Sequence, residues 1–161
     1  MNRSCAVTLS AIALALSGCV SSPTLDGSAT AMADRCVPTD EAQIAALFDR
    51  WNASLATGDP RKVVENYAEQ SILLPTVSNQ PRLTPAAKED YFAHFLENGP
   101  SGSIDQRFIK IACNTALDAG LYTFTFSKTG TVVKARYSYT YAYEGGRWLI
   151  TSHHSSAMPE K

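Results

Sequence analysis

The spacing of the apolar residues changes once along this chain, near Ser103, and this change limits the folds that the chain can adopt. Before Ser103, apolar residues recur at helical intervals. The first predicted helix starts after Asp40, ends before Gly58 and carries Ile44, Leu47, Phe48, Trp51 and Leu55 on one face. A short helix opens at Asp59-Pro60, the segment "SILLP" predicts a brief strand, and a third helix runs from Thr84-Pro85 to about Asn98.

After Ser103 the apolar residues alternate, which predicts four strands at about 105–116, 120–128, 131–144 and 147–156. Turns are expected at Asp118–Gly120, Thr129–Gly130 and Gly145–Gly146. Turns this short make successive strands antiparallel neighbours. The sequence therefore predicts an α+β domain, a curved antiparallel sheet with the N-terminal helices on its concave face, which encloses a cone-shaped pocket.

The first residues are typical of a targeting signal. Arg3 precedes an apolar run from about Ala6 to Leu16, which is shorter than the roughly 20 residues that span a bilayer. "LSGC" resembles the lipobox of bacterial lipoproteins, and an ordinary cleaved signal is the alternative. We expect a signal peptide over 1–18, a lipid on Cys19, a flexible tether over 19–37 and one domain over 38–161. The lipid would anchor the protein in the bacterial cell envelope, facing the periplasm, and the outer membrane is the expected site.

Besides the Cys19 that is expected to carry the lipid, two cysteines, Cys36 and Cys113, remain after the predicted cleavage. Export places them in an oxidising compartment, which favours a disulfide between them over two unrelated thiols.

Charge excludes one class of partner. The formal net charge is −1, and no run of Lys or Arg occurs, so the chain has no basic surface for nucleic acid.

The order of elements, with "LFDRWNASLATGDPRKVVENYAEQSILLPT", "YFAHFL" and "GGRWLITSHHSSAMP", resembles the nuclear-transport-factor-two-like (SnoaL-like) superfamily. Within it, residues 40–159 are most similar to the association domain of calcium/calmodulin-dependent protein kinase II and its bacterial relatives of the SgcJ/EcaC type. The resemblance implies a homo-oligomer, a dimer or larger, that pairs through the outer sheet face. It also implies a pocket for a small ligand. The sequence has no kinase domain and no helix of the calmodulin-target kind, so neither activity is carried over.

The kinase family lines its pocket with arginines, and here Thr123, Tyr139 and Ser155 stand at the matching places. The strand arginines of this chain are Arg107 and Arg136, which are candidates for clamping a carboxylated ligand. The alternative is that both face solvent or a subunit contact. The predicted pocket wall comprises Trp51, Tyr67, Tyr91, Tyr122 and Tyr139.

Four tyrosines alternate along one strand, at Tyr137, Tyr139, Tyr141 and Tyr143. Such a row either lines a pocket or forms a subunit contact. The family match favours an inward Tyr139.

His153 and His154 are adjacent on the last strand, so they point to opposite faces and only one can enter a pocket. That histidine is a candidate general acid or base, with a tyrosine, Glu65 or Asp49 as its partner. The alternative is that one histidine makes a hydrogen bond at the sheet end while the other is exposed. A histidine pair is a poor metal motif, and no Gly-rich dinucleotide fingerprint occurs, so we expect no metal and no cofactor.

Three functions remain open at this stage. The favoured one is a lipid-anchored binding and assembly module. The second is a cofactor-independent isomerase, dehydratase or hydrolase, or an SgcJ/EcaC-type oxidoreductase, that uses His154 or His153. The third is a structural lipoprotein whose pocket is filled by its own side chains.

Overall fold

The computed structural model describes residues 35–76 and 78–159. The predicted signal peptide, Cys19 and most of the tether lie outside these residues. The described part of the chain contains three helices: α1 over Glu41–Leu55, α2 over Pro60–Val64 and α3 over Pro85–Leu96. Each begins at its predicted cap, where Asp40 accepts a hydrogen bond from the Gln43 amide at 2.8 Å, Asp59 from the Arg61 amide at 2.9 Å, and Thr84 from the Ala87 amide at 3.1 Å.

Five strands form one sheet in the order β1-β5-β4-β3-β2. Their bounds are Tyr67–Leu74 for β1, Pro100–Ala112 for β2, Thr115–Phe126 for β3, Val132–Glu144 for β4 and Arg147–Ala157 for β5. Strands β2 to β5 form the predicted antiparallel meander. Strand β1 pairs in parallel with β5, so the sheet is mixed. The connection through α3 carries the chain from β1 at one edge of the sheet to β2 at the other edge.

The predicted turn at Asp118–Gly120 is wrong, because these residues lie inside β3. The chain reverses instead at Cys113–Asn114, where Asn114 adopts a positive φ of 57°. Gly120 serves a different purpose: the register shifts between Ile104 and Gln106, and a Cβ on Gly120 would lie 1.9 Å from the Gln106 carbonyl oxygen. Its missing side chain admits a bulge in the neighbouring strand.

The helices pack on one side of the sheet, here called the inner face, and the other side is the outer face. Tyr137, Tyr139 and Tyr141 are buried on the inner face. The Tyr139 ring lies 6.1 Å from that of Phe48 and 5.8 Å from that of Trp51, both on α1. These three members of the tyrosine row therefore belong to the core and form no subunit contact, and Tyr139 points inward as the family match predicts.

Cys36 and Cys113 form the predicted disulfide, with their Cα atoms 4.8 Å apart. Asn114 reinforces this connection, since its side chain accepts from the Val37 amide at 2.8 Å and donates to the Arg35 carbonyl at 3.1 Å. The N-terminal segment of the domain is thus fixed to the turn between β2 and β3. Within residues 35–76 and 78–159, no helix is long and apolar enough to cross a membrane.

Candidate functional site

A cavity of about 70 Å³ lies between the inner face, α1 and α3. It adjoins an open groove of about 540 Å³, and the two share the side chains of Tyr91, Phe95, Phe126 and Val133. The cavity wall comprises Trp51, Leu73, Pro75, Thr76, Tyr91, Phe92, Phe95, Tyr122, Phe124, Phe126, Val133, Ala135, His153 and Ser155.

This wall is mostly aromatic and aliphatic, and among the described residues no Asp, Glu, Lys or Arg contributes to it. Its polar groups are few: Thr76, Tyr122, His153 and Ser155, besides the edges of Trp51 and Tyr91. A largely apolar cavity with a few converging polar groups is the usual form of a small-molecule site.

His153 is one of the polar residues of the cavity wall, and a chain of hydrogen bonds positions its ring. Trp51 Nε1 donates to the Tyr67 hydroxyl at 3.2 Å, and this hydroxyl lies 2.8 Å from His153 Nδ1. In the described structure the Tyr67 hydroxyl has no other acceptor within reach, so its hydrogen is donated to Nδ1. A neutral imidazole that accepts at Nδ1 carries its hydrogen on Nε2. His153 Nε2 is buried and has no partner in the described residues.

Burial keeps His153 neutral. Removal from water, with a smaller contribution from the neighbouring His154, lowers the pKa of His153 to about 3. Burial also raises the pKa of Tyr67 well above its usual value, so the phenol keeps its hydrogen. The His153 ring stacks on Tyr139 with centroids 4.1 Å apart, which fixes the ring plane.

Ser155 lies two residues further along β5, on the same face as His153. Its oxygen accepts a hydrogen bond from the Tyr122 hydroxyl and pairs with Thr76 Oγ1. The serine is therefore one member of a hydroxyl chain along the cavity wall, and its hydrogen-bond partners in the described residues, Thr76 and Tyr122, are hydroxyls and not a base. Its position at i+2 from an inward histidine is the sequence signal that places it in the wall.

The predicted pocket residues divide into two groups. Trp51, Tyr91 and Tyr122 line the cavity, while Tyr67 and Tyr139 contact His153 from outside it. Of the three positions that correspond to the family's arginines, Ser155 lines the cavity and Tyr139 is buried behind it. Thr123 points to the outer face and donates to Asp105 at 2.7 Å.

The structure corrects the predicted roles of His154 and Arg136 in the pocket. His154 is exposed on the outer face, so it cannot act in the cavity, and the buried histidine is His153. Arg136 lies between the buried Ala135 and Tyr137 on β4 and is itself exposed. Strand alternation turns it to the outer face, so the expectation that Arg136 clamps a ligand in the pocket is wrong.

The prediction that Arg107 clamps a ligand in this cavity is also wrong, although Arg107 lies on the inner face. Its Nε is 3.2 Å from Asp118 Oδ2, and Tyr137 donates to Asp118 Oδ1 at 2.8 Å. Burial raises the pKa of Asp118, opposed by the Tyr137 hydrogen bond and the Arg107 charge. Arg107 thus neutralises a buried carboxylate of its own chain and is absent from the cavity wall.

Two charged residues near the site escaped the sequence analysis. Lys88 is fully buried; its Nζ donates to the Ser71 carbonyl at 2.8 Å and lies 5.9 Å from the Tyr67 ring centre. Burial lowers its pKa. The sequence signal for the burial of Lys88 was its spacing of four residues from Phe92, which places both on the same face of α3. Arg82 borders the groove, 2.8 Å from Asp90 and over the Tyr91 ring.

Within the described residues, no group of three or more His, Cys, Asp or Glu side chains is placed to hold a metal ion.

Comparison with known proteins identifies the family. The model of the calcium/calmodulin dependent protein kinase II association domain matches residues 40–159. A solved structure from Xanthomonas campestris, proposed to be such an association domain, is 48% identical with a TM-score of 0.73 and covers 77% of this chain and 91% of its own. No curated protein matches this chain.

More distant structures share the fold. An NTF2-like protein of unknown function from Pseudomonas putida KT2440 is 18% identical with a TM-score of 0.65, covering 74% of this chain and 87% of its own. A proposed dehydratase of the NTF2-like family from Streptomyces avermitilis is 10% identical with a TM-score of 0.66, covering 74% and 96%. The fold, the match over residues 40–159 and the Xanthomonas structure agree, and the chain belongs to the calcium/calmodulin dependent protein kinase II association domain family.

Proposed function

We propose that this chain is an exported, lipid-anchored domain that self-associates through its sheet and holds a small ligand in the cavity, without kinase activity. The observation that carries the ligand-binding part is the apolar cavity whose wall includes His153, a buried residue whose Nε2 has no partner in the described residues. A buried N–H without a partner costs roughly 1–3 kcal/mol, which a ligand with an acceptor would recover.

General acid/base catalysis, the second candidate, receives less support. Proton transfer is most effective when the pKa of the catalytic group lies near the working pH. Burial holds the pKa of His153 at about 3, and its available ring nitrogen carries a hydrogen, so it cannot accept a proton near neutral pH. Binding is therefore the better-supported role for this cavity, and the distant dehydratase neighbour supports only the fold.

Self-association is supported by the family, which is named for assembly, and by the outer face. Of the exposed apolar side chains that lie there, four form what we term the outer patch: Ile72 and Leu74 on β1, Phe108 on β2 and Leu117 on β3. Thr140 and Ser152 lie in register between Leu117 and Ile72, so the centre of the patch carries small side chains. A second copy would cover this surface.

Lipidation is proposed from the sequence, and export from the sequence together with the disulfide. The apolar run after Arg3 and the "LSGC" segment are typical of a lipoprotein signal, and the disulfide between Cys36 and Cys113 suits an oxidising compartment.

Native mass spectrometry on a soluble form beginning at Ser21, secreted to the periplasm and purified gently, tests the assembly and binding parts together. We expect a homo-oligomer with a reproducible small adduct. Phe108→Arg should reduce the subunit number, because it places a charge in the contact. Leu83→Arg is the matched control, since Leu83 is an exposed apolar residue outside the sheet and its replacement should leave the assembly intact. A bare monomer would contradict both parts.

Metabolic labelling of the full chain with a fatty acid tests the anchor. We expect incorporation that disappears in Cys19→Ala, whereas incorporation that persists in this variant would contradict lipidation at Cys19.

A further inference from the structure

We propose that the cavity takes the neutral end of a ligand, an apolar group that terminates in a carbonyl oxygen, and that His153 Nε2–H donates a hydrogen bond to this oxygen. The proposal rests on the proposed ligand-binding function and names its ligand class. It replaces the carboxylated ligand that the strand arginines suggested.

The first argument is the direction of the hydrogen bonds. Trp51 Nε1 donates to Tyr67, and the Tyr67 hydroxyl donates to His153 Nδ1, so the hydrogen of the imidazole is on Nε2, and the His153 side chain belongs to the cavity wall. The ring is buried, 4% exposed, and Nε2 has no partner in the described structure. A buried donor in an apolar wall selects an acceptor.

The second argument is charge. A carboxylate that enters the cavity loses its water and finds no cation in the described wall to replace it. Arg107 is committed to Asp118, and Arg136 is on the outer face. An isolated buried anion is strongly disfavoured, whereas a carbonyl loses little when it exchanges water for the histidine N–H.

The third argument is size. The cavity of about 70 Å³ accepts only a few heavy atoms, while the adjoining groove of about 540 Å³ has room for a ring or chain. Tyr91 and Phe95, both on α3, belong to both walls and stack on each other with centroids 5.7 Å apart, so they would contact the ligand from the α3 side where it passes from groove to cavity. A compact carbonyl group on a flat apolar body fits this shape.

Three probes of similar size separate the alternatives: acetophenone has a neutral carbonyl, benzoate has a carboxylate, and ethylbenzene has no acceptor. Binding to the soluble form is measured by titration followed with NMR. We expect acetophenone to bind roughly tenfold more tightly than ethylbenzene, in proportion to one recovered hydrogen bond, and benzoate to bind most weakly. The His153 Nε2 proton should shift on addition of acetophenone.

Variants locate the effect. His153→Phe keeps an aromatic ring but removes the donor, so the preference for acetophenone over ethylbenzene should disappear. His154→Gln, next to it on the opposite face, should keep the preference. If His153→Phe does not fold, the tautomer of His153 in the wild-type protein tests the proposal instead, because two-bond ¹H–¹⁵N correlations report which ring nitrogen carries the hydrogen. Hydrogen on Nδ1 would overturn the proposal.

Failure of this proposal differs from failure of the proposed function. Tighter binding of benzoate than of acetophenone overturns the ligand class while leaving ligand binding intact. If none of the three probes binds at millimolar concentration, the ligand class is overturned; a purified protein that also lacks an adduct in native mass spectrometry contradicts ligand binding itself.

Discussion

At the scale of single residues, burial decides what His153 does. One ring nitrogen, Nδ1, meets the Tyr67 phenol, and the other, Nε2, is buried without a partner; no carboxylate contacts the ring in the described structure. Nothing therefore stabilises the charged form, and the side chain serves as a neutral hydrogen-bond donor. An adjacent carboxylate would have made the same residue a base.

The low pKa of His153 predicts how stability depends on pH. Between pH 6.5 and about 3 the unfolded chain binds a proton at His153 that the native protein excludes. The stabilising contribution is therefore complete above pH 6.5 and is lost as the pH falls, by up to about 1.4 kcal/mol per pH unit. Urea unfolding at several pH values should show a steeper decline for the wild type than for His153→Phe. Equal slopes would contradict a buried neutral His153, and His154→Gln should behave like the wild type.

The sequence predicts relations between neighbouring residues better than their absolute placement. Alternation correctly places His153 and His154 on opposite faces, but it cannot say which face the helices cover. That choice depends on the strand register, which pairs His153 with Leu73 and Tyr139. Arg107 and Arg136 show the same limit, because the partner of one and the exposure of the other are set by neighbouring strands.

At the scale of elements, strong local signals predicted the helices, and a misleading one displaced a strand boundary. The caps of α1, α2 and α3 lie where Asp40, Asp59 and Thr84 predict them. Asp118–Gly120 has the composition of a turn, yet it runs straight through β3. Glycine here accommodates close approach of another backbone, a non-local need that composition does not distinguish from a turn.

Gly120→Ala tests this explanation. The added Cβ would collide with the Gln106 carbonyl, so β2 and β3 must separate locally, and we expect the free energy of unfolding to fall by about 1–3 kcal/mol. Chemical denaturation measures the change. Thr125→Ala, at an exposed position of the same strand, is the control and should change stability by less than about 0.5 kcal/mol. A stable Gly120→Ala variant would show that the bulge can relax.

At the scale of the molecule, the α+β class and the meander follow from the change in periodicity, whereas the cavity does not. Its volume depends on how Tyr91, Phe95 and Phe126 pack against one another, and side-chain packing leaves no periodic trace in a sequence. The parallel pairing of the edge strand was hidden for a related reason: in the sequence, β1 is separated from β5 by α3 and by strands β2 to β4.

The disulfide predicts a large change in global stability. It closes a loop with a sequence separation of 77, so replacing both cysteines by serine should lower the free energy of unfolding by roughly 4 kcal/mol, largely through greater freedom of the unfolded chain. Chemical denaturation checks this. A reducing agent should bring the wild type to the stability of the double variant and leave the variant unchanged. No difference between oxidised wild type and variant would contradict the expectation.

The same disulfide determines where mechanical force enters the domain. A pull on the chain before Cys36 passes through the sulfur atoms to Cys113, at the closed end of the hairpin of β2 and β3, whose strands have 13 and 12 residues. The force then acts along the hydrogen-bonded ladder and bypasses α1, which would otherwise unwind first from Asp40. A domain fastened to a surface by its N-terminal segment would thereby keep the helix that covers its cavity out of the path of tension.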